Sequence, residues 1–269
     1  MAPGRRSRLP SKTAVGSVRW DMSEISALVA SLRYAATIEE LSALLSVIAR
    51  KLGFRYHALV HHADLARPPR RFIFLQNYPS GWVETYARAG LHRLDPAQRL
   101  AARQPGSFIW RDLQDIVGLS VHELRMMEQA RVAGLGDGLT VPLHAPGERT
   151  MSCSFAMASD EALPDDTLLV AELLAHAAFA ALFDLLHPGC CAPEPRLTAR
   201  QEECVTLMAQ GKTDWEIGAI LGLSEETVTT YLKAARRRFG VARRTQLAVA
   251  AVSYGLIGFD EVVTWQYPL

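Results

Sequence analysis

Apolar residues near the start of the chain recur at the spacing of a helix. Between Met22 and Leu52 they fall at Ile25, Leu28 and Leu32, then at Ile38, Leu41, Leu45 and Ile48, which predicts two amphipathic helices. FRYHALVHH (54–62) and RRFIFLQ (70–76), separated by the turn-rich LARPP, change to strand-like composition. Helices are expected from Pro79-Ser80 through Ala89 and from Val121 to Ala133. GDGLTVPLHAPGERTMSCSFAMA (136–158) predicts two strands joined at HAPGER. An aspartate of Pro164-Asp165-Asp166 is then placed to cap a long apolar helix ending at Leu186. Helices on both sides of mostly consecutive strands predict an α+β domain, an α-β-α sandwich around an antiparallel sheet, not a doubly wound fold.

HPGCCAPEPR, beginning at His187, breaks this pattern with three prolines and a glycine. The expected organisation is therefore a mobile basic tail over 1–21, a first domain over 22–187, a linker over 188–196 and a helical domain over 197–269. The basic Pro/Gly/Ser-rich start lacks the apolar segment of a signal peptide.

In the last domain, Thr198 can cap a helix carrying Glu202 in its first turn, Val205, Leu207 and Met208 on its apolar faces, and Gly211 at its end. A second helix over Thr213–Leu221 is expected to turn Ile217, Ile220 and Leu221 inward. Gly222-Leu223-Ser224 makes a tight turn with a capping serine, and Glu226-Thr227 opens a third helix. This is a helix-turn-helix layout in an all-α, four-helix domain. At about 100° per residue, Val228, Leu232, Ala235 and Phe239 form one stripe. Thr230, Lys233 and Arg237 then project to the opposite side, flanked by Thr229 and Arg236. Hydroxyls and cations in that array suit phosphate oxygens and base edges.

Composition changes this picture little. The net charge of +1 points neither to nucleic acid nor to an acidic partner, but Lys233, Arg236, Arg237, Arg238, Arg243 and Arg244 lie within twelve residues that hold no acid, and the local field is what attracts DNA. Four cysteines without a CxxC spacing indicate a reduced, cytoplasmic protein and no zinc site. His57, His61 and His62 lack a completing carboxylate or cysteine, so no metal is expected. Gly134-Leu-Gly-Asp-Gly138 lacks the strand-to-helix context of a phosphate loop and is expected to be a turn. Glu172, His176 and Asp184 interrupt the apolar run 168–186, which is expected to pack on its own domain or a second subunit instead of spanning a membrane. No G-x-S-x-G elbow or paired base for Ser152 or Ser154 marks an enzyme.

NYPSGWVETYARAGLHRLDP (77–96) concentrates candidate binding chemistry. Helical spacing at i, i+4 and i+8 would put Tyr78, Trp82 and Tyr86 near one face, with Asp95 close by.

The C-terminal unit resembles the DNA-binding domain of the LuxR family. The resemblance rests on Leu197, Thr198, Arg200, Glu202, Gly211, Glu216, Ile217, Leu221, Ser224, Thr227, Val228, Leu232, Gly240, Val241 and the run Arg244-Thr245-Gln246. Gly218, Tyr231 and Phe239 depart from the usual alanine, histidine and leucine. The resemblance implies base reading by Thr229 and Lys233, phosphate contacts from Thr227, Thr230, Tyr231 and Arg236, and pairing of two domains through TQLAVAAVSYGLI.

NYPSGWVETYARAGLHRLDP resembles the signature NYPxxWxxxYxxxxYxxxDP of the family's acyl-homoserine-lactone receptors, and Phe108-Ile109-Trp110, GDGLTVPLH and MSCSFA match later motifs in order. The implied ligand is an N-acyl-homoserine lactone, with no other cofactor. Trp82 would donate to the lactone carbonyl, Asp95 would accept from the amide N–H, and Tyr78 and Ser154 would meet the amide carbonyl. Tyr86, Trp110 and Thr140 would line the wall, with Met126, Met127, Ala130 and Leu135 against the tail. Leu91, Ala97, Arg149 and Met151 depart from the signature and are expected to alter the acyl side. An aryl-homoserine lactone, another small signal, ligand-independent DNA binding and a lactonase are the alternatives. The partners implied are the autoinducer, a palindromic double-stranded promoter, a second copy of the chain and RNA polymerase, with no membrane.

Overall fold

The computed structural model describes residues 20–145, 148–159, 161–163, 167–188 and 196–263. Residues 1–19 of the expected tail, the Asp165/Asp166 cap and nearly all of the expected linker lie outside the described residues, while Trp20, also expected in the tail, packs against the core of the first unit. The chain forms two compact units.

The first unit runs α1 (Met22–Arg33), α2 (Ile38–Lys51), β1 (Tyr56–His61), β2 (Phe74–Gln76), α3 (Ser80–Arg88), α4 (Pro96–Ala101), β3 (Phe108–Ile109), α5 (Leu113–Val117), α6 (Val121–Val132), β4 (Leu135–Leu143), β5 (Met151–Ala158) and α7 (Leu168–Leu186). Local chemistry sets the helix starts. Asp21 accepts from the Ser23 amide ahead of α1, Thr37 from the Glu40 amide ahead of α2, and Ser120 with Glu123 forms a capping box ahead of α6. Before α7 the cap residue is Thr167, which makes no capping bond and instead donates its hydroxyl to the Leu52 carbonyl at 3.2 Å.

The strands form one antiparallel sheet in the order β2-β1-β5-β4-β3. Side chains alternate across it. Leu59, Val141, Cys153 and Phe155 join Leu41, Leu45, Ile48 and Leu174 in a core beneath α1, α2 and α7. Burying each such leucine or isoleucine contributes about 1.5–3 kcal/mol. Ala171, Ala175 and Ala178 let α7 lie close on the sheet. By length and composition α7 could cross a membrane, yet one face of it forms this core. Ala58, Val60, Thr140, Ser152 and Ser154 line the opposite face, which α3, α4 and α6 cover.

Two expectations fail here. Gly134–Gly138 is not a turn: β4 begins at Leu135 and carries an irregularity in register between Leu135 and Gly138. Glycine is needed at Gly136, where a Cβ would sit 2.3 Å from the Ala158 carbonyl oxygen. Tyr78 does not share a helix face with Trp82 and Tyr86, because Pro79 caps α3 and leaves Tyr78 in the preceding extended segment.

The second unit comprises α8 (Ala199–Ala209), α9 (Asp214–Leu221), α10 (Glu225–Arg238), α11 (Arg244–Ser253) and a short α12 (Phe259–Val262), one helix more than expected. Thr198 with Gln201 and Thr213 with Glu216 form capping boxes, and Ser224 caps α10. Cys204, Val205, Ile217, Val228, Leu232, Ala235, Leu247 and Ala251 make the core. Ile220 is 55% exposed, so α9 turns Ile217 inward and Ile220 outward. Gly222, at φ 69°, closes α9 in the left-handed conformation that favours glycine. At Gly218 a Cβ would stand 2.7 Å from the Leu223 carbonyl oxygen, so the small residue lets α9 meet the turn into α10.

Candidate ligand cavity and nucleic-acid interface

Between the sheet and α3, α4 and α6 lies a cavity of about 550 Å³. Six of the seven residues expected at a ligand site line it: Tyr78, Trp82, Tyr86, Asp95, Trp110 and Ser154. Thr140, the seventh, is buried behind that wall, hydrogen-bonded to Trp110 and Ser154. Met126, Met127, Ala130 and Leu135 supply apolar wall.

Asp95 organises one end. It caps α4, its Oδ1 accepting from the amides of Ala97 at 2.9 Å and Gln98 at 3.3 Å, while Oδ2 accepts from the Tyr86 hydroxyl at 2.7 Å. A carboxylate has about four lone-pair positions, so one remains for a donor in the cavity. Burial raises the Asp95 carboxyl above the usual range, more than the bonds from Tyr86, Gln98 and Ala97 lower it, and the Glu123 charge adds to the rise. Tyr86 is therefore more than wall. Gln98 Nε2 donates to the Tyr86 oxygen at 2.9 Å, which leaves the Tyr86 hydrogen directed at Asp95. Burial, then the Asp95 charge, hold the Tyr86 phenol pKa well above its ordinary value, so the hydroxyl keeps its hydrogen.

A second network runs up the sheet. Trp110 Nε1 donates to Thr140 Oγ1 at 2.8 Å, and Thr140 Oγ1 lies 2.8 Å from Ser154 Oγ. An indole only donates, so Thr140 accepts there, and its own buried hydrogen finds its acceptor in Ser154. Ser154 in turn bonds Tyr78, whose phenol is pushed up chiefly by burial and then by the Asp95 charge. Ser154 donates to the Tyr78 oxygen, so the series ends at the cavity with one hydroxyl hydrogen to give, that of Tyr78. Trp82, only 4% exposed, has no acceptor for its indole N–H among the described residues. The cavity thus offers an acceptor at Asp95 and donors at Trp82 and Tyr78 within apolar walls, with Ser154 behind Tyr78.

The departures from the signature separate. Ala97 lines the cavity. Leu91 packs in the apolar cluster with Trp82 and Tyr86. Met151 lies in the core on the other side of the sheet, and Arg149 is exposed, so neither shapes the cavity wall. Sequence reasoning missed Gln98 and Gly138. Gln98 stands three residues after the capping Asp95, the spacing of a capping box, and that signal was present. Gly138 had no such signal: a Cβ there would come within 2.9 Å of the Trp110 ring and 2.8 Å of the Phe155 carbonyl oxygen. His57 and His61 face the helical layer. Burial, then the charge of Arg50, pull His57 down to about 4, and His61 Nδ1 accepts from the Ile73 amide at 3.0 Å. Among the described residues no group of three His, Cys, Asp or Glu is placed to hold a metal ion.

On the second unit, α10 exposes Thr229, Thr230, Lys233 and Arg237, with Thr227, Tyr231 and Arg236 half-buried beside them. The basic run divides by its partners. Arg238 donates to the Arg196 carbonyl and to Gln201, Arg244 to Asp214 and the Lys212 carbonyl, and Arg236 to the Ala242 carbonyl at 3.1 Å. No hydrogen bond or ion pair among the described residues engages the side chain of Lys233 or Arg237.

Residues 37–182 match the autoinducer binding domain, and residues 195–251 match the bacterial regulatory proteins of the luxR family. The chain belongs to the LuxR family of autoinducer-binding transcriptional regulators. It is 31% identical over 218 residues to the putative HTH-type transcriptional regulator y4qH of Sinorhizobium fredii, across 80% of this chain and 67% of that protein. To the regulatory protein SdiA of Escherichia coli it is 30% identical over 226 residues, 82% of this chain and 91% of SdiA. The crystal structure of SdiA superposes with a TM-score of 0.61 at 28% identity, covering 87% of this chain and 98% of that one. SdiA in complex with octanoyl-rac-glycerol gives the same TM-score over 87% of this chain and 95% of its own. For this LuxR-family regulator, the cavity falls inside the autoinducer-binding match and α9–α10 inside the luxR match.

Proposed function

We propose that this chain is a cytoplasmic quorum-sensing regulator that binds an N-acyl-homoserine lactone in its cavity and, as a homodimer, binds a palindromic promoter site. The observation that carries the reading is the complementarity of the cavity's polar groups. The remaining Asp95 position suits an amide N–H, the Trp82 N–H suits the lactone carbonyl, and Tyr78 with Ser154 suits the amide carbonyl. Tyr86, Trp110 and Thr140 hold those groups in place, and the apolar wall takes the tail. In the second unit of the chain, Lys233 and Thr229 read bases. Thr227, Thr230, Tyr231, Arg236 and Arg237 approach phosphate, and α11 pairs two such units over successive major grooves. Ligand burial stabilises the sensor unit by linkage, about 2.7 kcal/mol at a hundredfold excess over Kd, and so raises the population competent for DNA. RNA polymerase is the downstream partner of the assembly.

The test is equilibrium binding of N-octanoyl-homoserine lactone to the full chain, with the bound ligand extracted and weighed by mass spectrometry. Saturable binding, return of the ligand intact and a raised melting temperature are expected. Return of the ring-opened acid would make the chain a lactonase, and DNA binding with no thermal shift would make it ligand-independent. A second reading follows from the octanoyl-rac-glycerol held by SdiA: an acylglycerol offers an ester carbonyl and hydroxyl donors but no amide N–H. Tighter binding of 1-octanoyl-glycerol than of the lactone would favour it.

A further inference from the structure

The recognition helix carries a hydroxyl whose hydrogen is already committed. Thr229 Oγ1 donates to Asp214 Oδ2 at 2.8 Å, from α10 to the first residue of α9. That acid is itself held: Arg244 donates both to Asp214 Oδ1 and to the Lys212 carbonyl, which fixes the carboxylate beneath α10 and balances its charge. A carboxylate only accepts, so the single Thr229 hydrogen stays on Asp214 and the exposed oxygen keeps lone pairs alone for an outside partner. Thr230, the next residue, differs. Its exposed hydroxyl makes no hydrogen bond among the described residues and keeps its hydrogen for an acceptor such as a phosphate oxygen.

We propose that Asp214 makes Thr229 an obligate hydrogen-bond acceptor, so that the base edge it reads must donate: the exocyclic amino group of cytosine or of adenine in the major groove. Guanine and thymine present only acceptors and a methyl group there and would meet lone pairs with lone pairs. The inference rests on the proposed reading of α10 as the helix that faces base edges. Asp214 is on this account a positioning residue that acts through Thr229.

The test is selection of binding sites from randomised duplex DNA by the full chain, in one arm without ligand and in another with N-octanoyl-homoserine lactone. The four bases are then competed at each selected position. At one position adenine or cytosine should be preferred over guanine and thymine by roughly five- to tenfold, the scale of one good base contact. The favoured base tells the two amino donors apart. Thr229→Val should erase that preference and Thr229→Ser should keep it. Asp214→Ala, which frees the hydroxyl to donate, should reduce it to within about twofold while preferences at other positions stay. A merely structural role for Asp214 would weaken every sequence alike, which overturns the proposal. So does a guanine or thymine preference at the position that Thr229→Val alters, and that result leaves the base-reading role of Thr229 intact. If Thr229→Val alters no position, or no sequence is enriched in either arm, both the proposal and the reading beneath it fall.

Discussion

The cavity of the sensor unit and the outer face of α10 are built from the same groups, hydroxyls arranged around one acid, in opposite surroundings. Around Asp95 the polar groups are buried or half-buried, and each spends bonding capacity on a neighbour before any ligand arrives: Gln98 on Tyr86, Tyr86 on Asp95, Trp110 on Thr140. On α10, Lys233, Arg237 and Thr230 stand in solvent, while Thr229 beside them is held by Asp214. An unpaired polar group costs far more in the first setting than in the second. Recognition in the cavity should therefore depend steeply on single atoms and weakly on salt, and recognition along α10 should do the reverse.

The sharpest way to break this contrast is at Asp95. Asp95→Ala removes the acceptor, strands the Tyr86 hydroxyl and uncaps α4. Ligand affinity should fall by about 1.5–3 kcal/mol, roughly 10- to 150-fold, measured by titration with N-octanoyl-homoserine lactone. The same change should leave the salt dependence of DNA binding unaltered. A variant that binds ligand as tightly as the parent would remove Asp95 from the site.

Acidification probes the same group more gently. Burial places the folded carboxyl of Asp95 above its unfolded value, so its contribution to the stability of the ligand-free fold is fully present below the unfolded value and is lost as pH rises through the folded one. The ligand's N–H favours the ionised form. Affinity should hence be greatest above the raised value and fall by up to about tenfold per pH unit below it. Asp95→Asn should bind weakly with a flat profile. A parent profile equally flat over the same window would detach binding from Asp95 ionisation.

Gly138→Ala should act next most strongly. The added Cβ meets the Trp110 ring and the Phe155 carbonyl at under 3 Å. Displacing the ring costs about 1–3 kcal/mol of sensor stability and slackens the Trp110–Thr140–Ser154 series, so melting temperature and ligand affinity should fall together. Unchanged affinity in a destabilised Gly138→Ala would separate that series from binding.

What the sequence made legible follows from period and from local spacing. Strand-like composition located β4 and β5, the family resemblance singled out Thr140 and Ser154 on them, helical spacing located α1, α2 and α10, and a long apolar run located α7. Capping residues such as Thr198 and Ser224 were readable because a cap and its partner lie three residues apart. Features set by distant approach were not readable. The glycine run before Leu139 looks like a turn in one dimension and is a strand because β5 pairs with it. Ile220 looks like core by composition, but α9 buries the face carrying Ile217 and leaves Ile220 outside. The arginine run looked uniform until Asp214, a residue thirty positions before Arg244, divided it.

That division yields the smallest effect and the finest test of the comparison. Arg237 has no partner among the described residues, so if it reaches a phosphate, Arg237→Ala should lower the magnitude of the salt slope by about 1 and leave the melting temperature alone. Arg244 is spent on Asp214 and the Lys212 carbonyl. Arg244→Ala should therefore leave the slope nearly unchanged while lowering the melting temperature of the second unit, because it releases the link between α11 and the start of α9. Two cations seven residues apart would then differ in kind, one reporting on DNA and the other on the fold. Measuring DNA affinity at several salt concentrations, alongside thermal unfolding, separates them. Equal slope changes for both variants would mean that Arg244 leaves Asp214 on DNA. The acid would then lose the clamp that keeps it beneath Thr229, and the exposed face would prove less fixed than the cavity in this respect too.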